Sequence, residues 1–115
     1  MSLSNSIPYK LLTSFKSEMR FIIRAKIPTE AGNKAVQDPN FLKNLEGYMN
    51  KTKPESAYFF DSDGDRTMGF VVDMQSADQI PSLVEPLFQS MGAKVELHPV
   101  MNFDDLKKAI STMNK

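Results

Sequence analysis

The chain contains no cysteine, a single histidine, and equal numbers of basic (14) and acidic (14) residues. Without cysteine there is no disulfide, no thiolate zinc site and no cysteine nucleophile, so the fold stands on packing alone, as suits a reducing compartment. One histidine leaves only carboxylates for a transition metal, which argues against a dedicated metal site, and nothing calls for a cofactor. Zero formal charge provides no overall field toward nucleic acid or an anionic membrane. No run approaches the roughly twenty apolar residues of a membrane span, and the N-terminus lacks the apolar stretch of a secretory leader. A cytoplasmic location is the expectation. With 115 residues there is room for one core and no separate catalytic domain.

What is present is organised around residues 55–75, ESAYFFDSDGDRTMGFVVDMQ. Two strand-like runs meet at Asp63-Gly64, and an Asp-Gly pair between alternating apolar runs is a strong hairpin signal because both turn residues need positive φ. That turn predicts a register with Asp61 opposite Arg66, Phe60 opposite Thr67, Phe59 opposite Met68, Tyr58 opposite Gly69 and Ala57 opposite Phe70. One face then carries Ala57, Phe59, Met68, Phe70 and Val72. The other carries Tyr58, Phe60, Thr67, Gly69, Val71 and Asp73, a mixture that is neither a clean core nor a clean solvent surface.

Residues 1–18 are polar and serine-rich with a short apolar cluster at Ile7, Tyr9, Leu11 and Leu12. They read as an extension, either floppy or docked on a neighbour, with the domain over 19–115. Residues 19–27 alternate, with Phe21, Ile23, Ala25 and Ile27 on one side and Arg20, Ile22, Arg24 and Lys26 on the other. A helical region follows Pro28-Thr29, and Asp38-Pro39 predicts a kink or a division into two pieces. The second piece, with Phe41, Leu42, Leu45 and Met49 at helical spacing, should end around 51–53 before Pro54. After the hairpin, Ser76 to Gln79 has the form of a capping box. Ile80, Leu83, Val84, Leu87, Phe88 and Met91 then make one stripe that ends at Gly92. Pro81 and Pro86 leave two readings, a start at Pro81 or a kink at Pro86. Residues 93–101 alternate again, with Pro99 suited to an edge strand. Asn102 caps a last helix striped by Phe103, Leu106, Ile110 and Met113.

The order β-α-β-β-α-β-α predicts an α+β domain of the ferredoxin-like split βαβ kind, a four-stranded antiparallel sheet with helices on one face and an added C-terminal helix. The helices would cover Phe21, Ile23, Ala57, Phe59, Met68, Phe70, Val95 and Leu97. The open face would hold Ile22, Tyr58, Phe60, Val71 and Val100 among Arg20, Arg24, Asp73, Glu96 and His98. So much contiguous apolar surface calls for a partner, and a second copy is the simplest one.

In element order and two-sided strand patterns over about 19–101, the chain resembles the dimeric α/β-barrel group of ferredoxin-like proteins. More closely, the 55–73 hairpin with its turn at Gly64-Asp65-Arg66 and the AKVELHPVM strand followed by Asp105-Leu106 resemble an uncharacterised bacterial branch of that group. The resemblance implies a homodimer with its sheets face to face. Relatives of that fold include muconolactone-isomerase-like proteins, small cofactor-free monooxygenases and proteins without known activity, so fold does not choose a function.

His98 is the candidate general acid or base, since its pKa lies nearest neutrality; the plainer reading is a hydrogen-bonded interface histidine. Arg24, Tyr58, Gly69, Asp73 and Glu96 are the candidate ligand-binding residues. Arg24 and Tyr58 would orient a small anionic or aromatic molecule, and Gly69 would leave room for it. Equally, Tyr58 could shield the glycine backbone and Arg24 could pair with Asp73 or Glu96. Asp61-Ser-Asp63-Gly-Asp65 suggests a calcium loop, but glycine stands fourth and the twelfth residue is Val72, so a turn with an Asp61–Arg66 pair explains it better. Residues 66–73 partly match the central motif of RNA-recognition domains. That match would turn Arg20, Arg24 and Asp73 into the core, and no nucleic-acid role is expected. The eight methionines read as adaptable core filler. The expected function is small-ligand binding or an interaction role without a defined reaction, the alternative a cofactor-free isomerase or monooxygenase with its pocket at the dimer interface.

Overall fold

Alternation in residues 20–27 forms β1 (Arg20–Ile27), with Ile23, Ala25 and Ile27 buried. The computed structural model describes residues 19–114, so the expected N-terminal extension lies outside the described residues. Pro28 closes β1, and its carbonyl accepts the Gly32 N–H at 2.8 Å at the start of α1 (Thr29–Gln37). Asp38-Pro39 divides the helical region into two, α1 and α2 (Phe41–Thr52). Asp38 is extended, ψ 121°, because the proline ring clashes with a helical residue before it; the Asp38 carboxylate then accepts the Asn40 N–H at 2.9 Å.

The hairpin forms as read. β2 (Ser56–Ser62) and β3 (Asp65–Asp73) pair in the predicted register, and Asp63 and Gly64 both take positive φ, 53° and 82°. The Ser76–Gln79 capping box opens a 3₁₀ turn (Ala77–Gln79) that runs into α3 (Ile80–Met91). The helix begins at Ile80 with Pro81 in its first turn, close to the first proline reading, and Pro86 is held inside it. Gly92 ends α3 in the left-handed region, φ 57°. β4 (Lys94–Pro99) follows. Asn102 then caps α4 (Phe103–Met113), its side chain accepting the Asp105 N–H at 2.8 Å.

The sheet is antiparallel with strand order β2-β3-β1-β4, compatible with the ferredoxin-like split βαβ arrangement. Pro99 lies on an edge strand, as its missing N–H demands. Helices α1 to α3 cover one face. Phe70, Ile23, Leu87 and Val72 are the largest fully enclosed side chains. The cover is narrower than the strand patterns implied: Phe21, Ala57, Val95 and Leu97 are half-buried, and Phe59, on edge strand β2, is 57% exposed. Three helices do not span four twisted strands, and α4 buries none of its residues. Among the described residues no helix is long and apolar enough to cross a membrane.

Tyr48 ties α2 to α3. Its ring lies 5.3 Å from that of Phe70, and its hydroxyl donates to the Leu83 carbonyl at 2.7 Å. Burial disfavours the phenolate and pushes its pKa up from 10.0 to about 12. The folded state therefore prefers the neutral form. Its stabilising contribution is complete below pH 10, where unfolded tyrosine stays protonated, and is lost as pH rises from 10 to about 12. Tyr48→Phe should cost about 1 kcal/mol for the hydrogen bond near neutrality and flatten the fall in unfolding midpoint across that window. Denaturant titrations at pH 8, 10 and 11.5 check it; parallel pH profiles for the two proteins would refute the assignment.

Candidate functional site

Strand periodicity orders the open face into cross-strand levels. Ser56, Val71, Ile22 and His98 form one level across β2, β3, β1 and β4, followed by Tyr58, Gly69, Arg24 and Glu96, then by Phe60, Thr67, Lys26 and Lys94. The level below Ile22 places Arg20 opposite Asp73. An apolar band runs from Ile22 and Val71 to Tyr58 and Phe60, and charge gathers on β1 and β4 toward the hairpin turn.

At that end a cavity of about 200 Å³ is lined by Arg24, Lys26, Lys94, Glu96 and the turn residues Ser62 and Asp63, with Thr67 at its base. Arg24 sits at its centre. Its guanidinium donates to Ser62 Oγ at 2.8 Å and to Glu96 Oε1 at 3.4 Å, and lies 6.0 Å from the centroid of the Phe60 ring. Lys26 Nζ reaches Asp63 at 3.2 Å and Asp65 at 3.9 Å. Lys94 has no carboxylate partner among the described residues and stands directly opposite Lys26 in the ladder. Like charges facing each other across strands are unfavourable, so two adjacent lysines with Arg24 one level away make a place where an anion would relieve repulsion. Thr67 is buried, and its hydroxyl is used locally, donating to the Asp65 carbonyl at 3.0 Å.

Of the residues singled out in the sequence, the structure brings together Arg24, Glu96 and His98. Glu96 Oε1 takes both Arg24 and, at 3.2 Å, His98 Nε2. His98 is exposed and points along β4, and neither it nor Tyr58 lines the cavity. Tyr58 faces Gly69 in register and is 66% exposed. The space above Gly69 belongs to Phe60, whose ring carbon Cε1 would lie 3.1 Å from a Cβ built there, so the glycine makes room for a side chain of this chain. Asp73 lies opposite Arg20, four residues along β3 from Gly69, roughly 13 Å away at strand spacing. Asp61 and Arg66 face each other without forming an ion pair; Arg66 lies instead across Gly32 of α1, where a Cβ would meet its Nη1 at 2.6 Å. Lys26, Lys94, Ser62, Asp63 and Thr67 are the cavity residues that were not among the sequence candidates. Alternation along β1 and β4 puts Lys26 and Lys94 on the open face, but pairing of β1 with β4 is what sets one opposite the other.

No group of three His, Asp or Glu side chains among the described residues is placed to hold a metal ion. Further hollows border the helices. One of about 260 Å³ sits between α2 and α3 beside Tyr48, and a shallow apolar one of about 410 Å³ is bordered by Val36, Leu42 and Phe59.

The fold and site together define a small α+β domain with a cation-lined cavity on the uncovered face of its sheet. No family model and no curated protein matches the chain. Among solved structures it is similar to the de novo designed protein Ferredog-Diesel, at 17% identity over 71% of this chain and 84% of that one, with a TM-score of 0.38.

Proposed function

We propose that this chain is a small-ligand-binding protein that takes a compact organic anion in the Arg24 cavity, at the interface of a homodimer whose open sheet faces meet as in a dimeric α/β barrel. The facing Lys26 and Lys94 beside Arg24 carry this reading, because Lys94 faces a second lysine and has no carboxylate partner among the described residues, an arrangement with no structural benefit of its own. Arg24 offers guanidinium N–H groups beyond the two used by Ser62 and Glu96, and a planar fork suits a carboxylate or phosphate. The alternative of a cofactor-free isomerase or monooxygenase requires His98, Arg24 and Tyr58 in one cavity. Within one copy the cavity takes Arg24 alone of the three, so binding is the better-supported role.

Thermal unfolding in the presence of inorganic phosphate or succinate, each titrated against chloride at matched ionic strength, tests the reading. The midpoint should rise with ligand for the unmodified chain. Arg24→Ala should weaken apparent binding about 10- to 100-fold, the scale of one or two charge-assisted hydrogen bonds. His98→Ala, outside the cavity, should fold and bind as before. Equal shifts in the parent and Arg24→Ala proteins would remove the site.

A further inference from the structure

The two edges of the sheet are protected unequally. On β4 the Val100 N–H donates to the Arg20 carbonyl, so the residues whose backbone groups point outward are Val95, Leu97 and Pro99. Pro99 has no N–H to offer, and Lys94, Glu96 and His98 stand along the same strand, the devices that keep an edge from pairing. β2 carries no proline, lysine or bulge. Its outward row follows from the turn. Asp63 and Gly64 with positive φ make a type I′ turn, which closes on a hydrogen-bonded Ser62–Asp65 pair. Phe60, Tyr58 and Ser56 share that parity and bond to β3, while Ala57, Phe59 and Asp61 direct their N–H and C=O groups away from the sheet. Apolar surface flanks this row on both sides, Phe59 and the 72% exposed Leu42 of α2 toward the helices, Tyr58 and Phe60 on the open face.

We infer that β2 pairs antiparallel with β2 of a second copy, about a two-fold axis through Phe59. The inference goes beyond the ligand-binding reading and uses the sheet edge. The strand itself argues the occupant, because residues 56–62 are centred on Phe59, and Phe59 belongs to the outward row. Pairing about that centre sets Phe59 opposite the partner's Phe59, Ala57 opposite the partner's Asp61, Ser56 opposite the partner's Ser62, and Tyr58 opposite the partner's Phe60. Every residue of β2 then has a partner, and the outward groups are satisfied by about six backbone hydrogen bonds. Tyr58 and the partner's Phe60 form the non-hydrogen-bonded pair, where side chains approach most closely and aromatic pairs are favourable.

Neighbouring registers are poorer. A centre at Tyr58 stacks Tyr58 on itself and leaves Phe60 facing serine; a centre at Phe60 brings Asp61 against Phe59; each keeps only about four bonds. Charge agrees with the Phe59 centre. Asp61 lands on alanine, and Glu55 and Asp63, which come into line just beyond the paired residues, are each held by a cation of their own copy, Arg20 at 2.9 Å and Lys26 at 3.2 Å. Any extended peptide could meet the backbone row, and the side-chain match is what singles out a second copy. Cross-strand neighbours meet side to side, so the open face stays free to be covered from above. Seven residues at about 3.3 Å make a contact roughly 23 Å long and one strand wide, well below the ~800 Å² per partner of a standard interface, so the pairing is weak and appears at high protein concentration.

Sedimentation equilibrium from micromolar to millimolar concentration tests it, on Ile22→Glu chains so that the face-to-face dimer does not contribute. These chains should pair with a dissociation constant of roughly 10–100 μM. Adding Phe59→Lys or Phe59→Glu should raise it about tenfold or more, since like charges then meet across the axis, and an equimolar mixture of the two should restore pairing. Phe59 is more than half exposed, so both variants should fold, which circular dichroism verifies. Asp61→Pro is a second measure that leaves every aromatic ring in place. It removes an outward N–H that the fold does not use, at a side chain without a partner among the described residues, and should also weaken pairing about tenfold. Variants that pair as tightly as their parent, or charge variants that stay apart when mixed, would overturn the inference. So would a single-chain mass for Ile22→Glu at millimolar concentration. The face-to-face dimer is judged separately, by comparing the unmodified chain with Ile22→Glu at low concentration.

Discussion

Replacement of Phe70 by alanine should lower the free energy of unfolding by about 3–5 kcal/mol, the cost of removing a large aromatic ring from a packed interior. Phe70 is fully enclosed at the centre of β3, paired with Ile23 on β1 and Ala57 on β2. The Tyr48 ring sits 5.3 Å from it and the Phe59 ring 6.3 Å in an edge-on arrangement. Two features keep the site from collapsing around the loss. Its backbone is held in ladders on both sides, and Tyr48 is pinned to the Leu83 carbonyl, so the cavity stays open and the lost dispersion contacts are not recovered. Small domains hold only about 5–15 kcal/mol in all, so the variant should unfold at a greatly reduced urea midpoint. Phe59→Ala is the matched control, because that ring is more than half exposed and should cost much less. A Phe70→Ala loss below about 1.5 kcal/mol, or equal losses at the two positions, would contradict the core as described.

Ile22→Glu should separate the proposed dimer while leaving each chain folded. In one copy Ile22 is half-buried on the open face, with Val71 and His98 on the neighbouring strands and Arg20 and Arg24 at the adjacent levels. A carboxylate there meets cations and solvent, so the chain tolerates it. At the centre of two apposed sheets the same carboxylate would be enclosed opposite Val71, and an unpaired buried charge costs several kcal/mol, enough to raise a dissociation constant by about a thousandfold or more. Light scattering on the parent and the variant, with circular dichroism to verify folding, decides the matter. An unchanged two-chain mass would exclude this face as the interface.

The hairpin was legible at short range, and so was most of the fold. Asp63-Gly64 dictates its own turn, and the period of two on either side dictates which residues share a face. Asp38-Pro39 imposes a break wherever the chain goes, and Asn102 with Asp105 starts a helix from neighbours alone. These signals need no distant partner. The candidate site was only partly legible because its chemistry depends on strand neighbours. Arg24 and Glu96 were picked out by face, and they do meet. His98 and Tyr58 share that face but not the cavity, since parity says which side a residue is on and not how far along the strand its neighbours lie. The same grounds offered the space at Gly69 either to a ligand or to Tyr58, whereas Phe60 two residues along β2 reaches over and fills it.

By itself, the amino-acid sequence determined the elements, their caps and turns, the register of β2 on β3 and the division of each strand into two faces. All of these are set by local sterics and by periodicity. Only the tertiary structure decided that β1 lies between β3 and β4, and with that pairing Lys26 comes to face Lys94 and Arg24 to hold Glu96 and Ser62 at once. It likewise decided that three helices leave Phe59 uncovered and that α4 stands away from the core. Non-local strand pairing brings together residues up to 78 positions apart, as Phe21 with Pro99, a distance over which no local propensity carries information.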